Sequence, residues 1–119
     1  MAKMEKASME MPDETREFPN GHLDLVNIGG FTFGLATFDP GWRWSESLKE
    51  ASGTDSCQQS HTNYHISGKL HVKMGDGEEE EFGPGDIGII PPGHDAWVVG
   101  DEPVVVLDIT GMGEYAKSS

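Results

Sequence analysis

Between Gly68 and Gly93 the chain is a series of strand-like runs, each too short to fold alone and each ended by a turn that fixes its partner. Lys69-Leu70-His71-Val72-Lys73-Met74 is turned back by Gly75-Asp76-Gly77, and Glu78 to Phe82 leads into Gly83-Pro84-Gly85-Asp86. A short Ile87-Gly88-Ile89-Ile90 run then stops at Pro91-Pro92-Gly93. Such pieces are stable only when paired with one another, so the fold has to be compact antiparallel β structure.

The same grammar extends to both sides. His22 to Ile28 and Phe31 to Phe38 read as strands separated by Gly29-Gly30, the second rich in aromatic and β-branched residues. Asp39-Pro40-Gly41 is a turn with a mechanism, since proline presets φ and glycine supplies the positive φ of type II geometry. Trp42-Arg43-Trp44 reads as a short strand, His61 to Ser67 as another, and His94 to Val99 and Pro103 to Ile109 as the last two. Ser45 to Ser60 is the one long irregular piece, with room for a helical turn over Ser47 to Ala51. Residues 1–17 lack a sustained period and read as a mobile arm able to order against a second subunit; residues 111–119 form a polar tail. About eight or nine strands across the single domain, residues 18–110, mean a sandwich or a small barrel.

Composition narrows the partners. A net charge of −13 would repel nucleic acid and anionic membranes, and both are set aside. Glu78 to Glu81 reads as a solvated strand edge where charge discourages edge pairing. No apolar run approaches the roughly 18 residues of a membrane helix, the start lacks a secretory pattern, and the lone Cys57 cannot form an internal disulfide. These features point to a cytoplasmic, acidic protein.

Two blocks resemble the motifs of the cupin family. Gly85-Asp86-Ile87-Gly88-Ile89-Ile90-Pro91-Pro92-Gly93 is similar to the second motif, and Asp39-Pro40-Gly41 with Tyr64-His65-Ile66-Ser67-Gly68 to parts of the first. The likeness covers roughly residues 31 to 110 and suggests a subgroup of small single-domain cupins. It implies an all-β double-stranded β-helix, a jelly-roll barrel of two antiparallel sheets, usually a homodimer. It also implies a divalent metal ion, typically held by three histidines and one glutamate.

Most family ligand positions do not match. The glutamate position is His61, the second histidine of the upstream pair falls on Cys57 or Ser56, with Asp55 at the first position for the Cys57 alignment, and the last histidine position is Ala96 with His94 two residues before it. The candidate metal ligands are therefore Cys57, His61 and His94, with Asp55 in reserve, for zinc, iron, manganese or nickel. Asn63 and His65 share the face of His61, because strand residues two apart point the same way. With Trp44 and Ala96 they are candidate pocket residues, and His71 is expected at the surface. Against these stand plainer readings: a lone Cys57 is commonly a small buried apolar residue, and a histidine after Pro-Pro-Gly can simply cap a turn. Two functions remain open. One is a metal-dependent enzyme acting on a small organic molecule; the other is a small-molecule binding or sensing module, with or without metal.

Overall fold

The computed structural model describes residues 3–47 and 60–110. Among the described residues nine strands run in chain order: β1 (Glu14–Phe18), β2 (Gly21–Ile28), β3 (Phe31–Phe38), β4 (His61–Ser67), β5 (Lys69–Met74), β6 (Glu79–Phe82), β7 (Ile87–Ile90), β8 (His94–Val99) and β9 (Val104–Thr110). A single helical turn, α1 (Trp44–Ser47), lies between β3 and β4. Two sequence-based expectations differ here. Glu14–Phe18, whose first four residues fall in the expected arm, pairs along its whole length with Gly21–Leu25 of β2. Trp42-Arg43-Trp44 contributes one isolated bridge, Arg43 to Trp97, before the helical turn begins. The helical turn expected over Ser47 to Ala51 falls almost entirely outside the described residues.

Every ladder is antiparallel, and the strands form two sheets: β1-β2-β3-β9-β4-β7 and β6-β5-β8. The expected closed jelly-roll barrel is not formed. Among the described residues no ladder joins one sheet to the other, and β6 and β7 each end a sheet although they follow one another in the chain. The reason is local. The Gly83–Asp86 turn is tied to itself by Asp86 N donating to Gly83 O and Gly83 N donating to Asp86 Oδ2. It is tied to β4 by His65 N donating to Asp86 O and Gly85 N to His65 O. The turn thus carries the chain from the small sheet to the large one, and two four-residue strands are too short to bridge both. A barrel needs a continuous ladder around its circumference; here two open sheets face each other.

The core fills the space between them. Leu23, Ala36, Val104 and Val106 from the large sheet pack with Leu70, Val72 and Ala96 from the small one, all at most 5% exposed. Each large aliphatic side chain buried this way contributes about 1.5–3 kcal/mol. The turn at Asp39 forms as its residues dictate: Trp42 N donates to Asp39 O, with Gly41 at φ 94°. It delivers Trp42 onto Phe38, ring centroids 4.0 Å apart, at one end of the core.

Candidate functional site

The inward faces are set by parity. On β4, His61, Asn63 and His65 are buried while Thr62, Tyr64 and Ile66 are exposed; on β8, His94 and Ala96 are buried. Register then aligns β4 with its neighbours: His61 lies opposite Ile90, and Asn63 opposite both Gly88 and Asp108. Asp108, on β9, follows the parity of Val104 and Val106 and has no exposed surface. A carboxylate in such a place costs several kcal/mol to desolvate and persists only when paired. Its Oδ2 lies 2.7 Å from His61 Nδ1. The facing ring, His94, lies edge-on to His61 with centroids 5.2 Å apart, and its own Nδ1 is 2.8 Å from the Pro91 carbonyl oxygen.

These two imidazoles stand in the wall of a cavity between the sheets. Phe38, Trp42, Trp44, Leu70, Val72, Ile90, Ala96 and Val106 supply the apolar lining, and Asn63 adds an amide. The cavity is narrow. Its volume is about 30 Å³. Trp44 is held at this wall through its chain neighbours, both bound by Asp95 of β8. Ser45 N donates to Asp95 Oδ1 at 3.0 Å, and Arg43 Nε to Asp95 Oδ2 at 3.2 Å. The Arg43 guanidinium also sits 4.3 Å over the Trp97 ring. Two polar atoms of the wall residues, Asn63 Oδ1 and Trp42 Nε1, are buried without a hydrogen-bond partner.

His65 is elsewhere. It stacks flat on Phe82, centroids 4.8 Å apart, and neither ring nitrogen has a partner. Burial lowers its pKa from 6.5 to about 4, the nearby Asp86 opposing the shift. It takes no part in the cavity lining, contrary to its place among the sequence candidates. Gly88 makes this corner possible: a Cβ there would lie 2.6 Å from Asn63 Oδ1 and 3.4 Å from His65 Nε2. His71, expected at the surface, is on the outside of the small sheet but half covered, stacked on Trp97 and 2.7 Å from Glu79. His22 pairs loosely with Asp24 outside the cavity.

Of the metal candidates, His61 and His94 are brought together, whereas Cys57 and Asp55 lie outside the described residues. Among the described residues no group of three or more His, Cys, Asp and Glu side chains is placed to hold an ion. Two imidazoles are half of a usual divalent-metal set, and the other expected ligands fall outside the described residues, so no chemistry is derived through a metal. Asp108 was the residue sequence reasoning missed, although its parity with Val104 and Val106 marked it as inward-facing.

Comparison with protein-family models gives no match, and comparison with curated proteins gives none. Solved structures do match. A protein of unknown function from Rhizobium leguminosarum is 22% identical with a TM-score of 0.60, covering 92% of this chain and 97% of its own. A cupin-like protein from Thermotoga maritima is 16% identical with a TM-score of 0.56, over 82% of this chain and 73% of its own. The polyketide cyclase RemF from Streptomyces resistomycificus is 15% identical with a TM-score of 0.63, over 98% and 82%. In fold the chain is similar to these proteins, one of them cupin-like, with its own two sheets left open.

Proposed function

We propose that this chain is a binding module for a small, mostly apolar organic molecule held between its two sheets. The observation that carries the reading is the cavity: aromatic and aliphatic walls converge on two imidazoles, one of them backed by a buried carboxylate. Binding sites for small molecules combine apolar lining with a few placed polar groups in this way. Binding as the whole function is favoured over metal-dependent catalysis because the described donors stop at two imidazoles and an amide.

The test is thermal stabilisation of the purified chain by toluene and phenol, compared with Ala96→Phe, which places a ring in the cavity. Wild type should melt several degrees higher with a saturating probe, and Ala96→Phe should not respond. A wild-type chain indifferent to both probes would remove the reading. One metal ion per chain, lost in both His61→Ala and His94→Ala, would favour the metal-dependent enzyme instead.

The same reading takes the partner to be a second copy of the chain. The outward positions of β7, β4, β9 and β3 hold no charged residue although the chain carries −13. Ile87, Tyr64, Leu107 and Leu35 lie opposite one another across these four strands, and Ile87 and Ile89 are 74% and 79% exposed. Strongly acidic bodies associate through a face free of charge, and an apolar sheet face is complementary to its own copy.

A further inference from the structure

Between β6, which ends the small sheet, and β7, which ends the large one, lies a second hollow. Val72, Met74, Phe82 and Ile90 are among its walls, and its volume is about 260 Å³, against about 30 Å³ for the cavity between the sheets. Val72 and Ile90 stand in both walls, but neither His61 nor His94 borders the larger hollow. Its charged lining is all acidic, Glu78, Glu79 and Glu80, with no Lys or Arg among the described residues.

Register sorts these carboxylates. Glu80 lies opposite Val72 and Phe82 opposite Leu70, so Glu80 and Phe82 share the inner face of β6. Glu79 and Glu81 take the outer face, where they stand 2.7 Å and 3.9 Å from the ring nitrogens of His71. Lys73, opposite Glu79, is on that outer face as well. Glu78 and Glu80 are exposed and have no ion pair among the described residues. Charge on an edge strand discourages pairing with another chain, but that role does not call for an apolar hollow beside it.

We infer that this hollow is a second binding site, for a small organic cation that carries an ammonium group on an apolar body. An ammonium offers three donors and no acceptor, which suits the carboxylates of Glu78 and Glu80. The apolar body covers Val72, Met74 and Phe82, the combination of greasy wall and few polar groups that small-molecule sites use. An anion of the same shape meets only like charge, and a neutral molecule leaves both carboxylates unmatched. The site stands whether or not the cavity between the sheets is occupied.

The test is nuclear magnetic resonance titration of the full purified chain with hexylammonium, hexanol, methylammonium and hexanoate at low salt. Hexylammonium should bind about fivefold tighter than hexanol, the effect of two exposed carboxylates, and methylammonium and hexanoate should bind more weakly than hexylammonium. With hexylammonium the Met74 methyl signal should move, and the methyls of Val106, which lines only the smaller cavity, should not. Glu78→Gln combined with Glu80→Gln should bring hexylammonium to within about twofold of hexanol. Asp101→Asn combined with Glu102→Gln removes the same charge from exposed positions outside the hollow and should leave the preference intact. All four of these side chains are exposed, so both variants keep the core unchanged. Equal affinity for hexylammonium and hexanol, no binding by either, or an equal loss in the two double variants would overturn the assignment. So would movement of Val106 in place of Met74.

Discussion

His65 is the residue whose physics is most exposed to measurement. A fully buried imidazole with two unpartnered nitrogens stays neutral, which is why its pKa falls to about 4. The unfolded chain takes up that proton near pH 6.5, the folded chain only near 4. Between these values the unfolded state binds more protons, so stability falls as the pH drops through the window and levels off below it. The full loss is on the order of 3 kcal/mol. His65→Leu fills the corner beside Phe82 without titrating, and urea denaturation across that window should show a flattened acid limb. An unchanged slope would assign the acid sensitivity to other groups. The position of His65 on the inner face followed from the alternation His61, Asn63, His65 in the sequence. Its stacking on Phe82 did not, because it depends on register shifts between β4 and β9 and on the absence of a Cβ at Gly88.

At the scale of elements, the turns decide which sheet each strand joins. Gly68 passes the chain from β4 in the large sheet to β5 in the small one, at φ 74° and with the Pro103 carbonyl oxygen where a Cβ would stand. Both the backbone conformation and the backbone neighbour forbid a side chain. Gly68→Ala should therefore cost at least about 2 kcal/mol in chemical denaturation. Gly30→Ala, at φ 81° but with nothing within 4 Å, should cost about 1 kcal/mol. Equal losses at the two sites would mean that contact with Pro103 is unimportant. The strands either side of Gly68 were readable because glycine and proline punctuate them at short intervals. The helical turn over Trp44–Ser47 was not, since it is held by Asp95, which lies some fifty residues away on β8.

The whole molecule sorts its charge. Glu78, Glu79, Glu80 and Glu81 are exposed along the edge of the small sheet, while the outward side of the large sheet holds no charged residue on four of its six strands. Among the described residues no helix is long and apolar enough to cross a membrane. If a second copy covers the apolar face, light scattering should give a mass of two chains. Replacing Ile87 and Ile89 together with lysine should return it to one, because charges on facing copies would then oppose each other. Phenol affinity should be unchanged in that variant, since both side chains point away from the cavity. A wild-type mass of one chain at micromolar concentration would dismiss the dimer.

What the amino-acid order determined by itself was local. Turn residues at fixed offsets set the strands, and a period of two set which side chains of β4 and β8 face inward, His61 and His94 among them. Tertiary structure alone decided that the sheets stay open, that Asp108 meets His61, and that His65 leaves the cavity wall. The division has a physical reason. Strand and turn preferences act over a few residues, whereas a sheet edge, a buried histidine–carboxylate contact and a cavity depend on register between segments far apart in the chain.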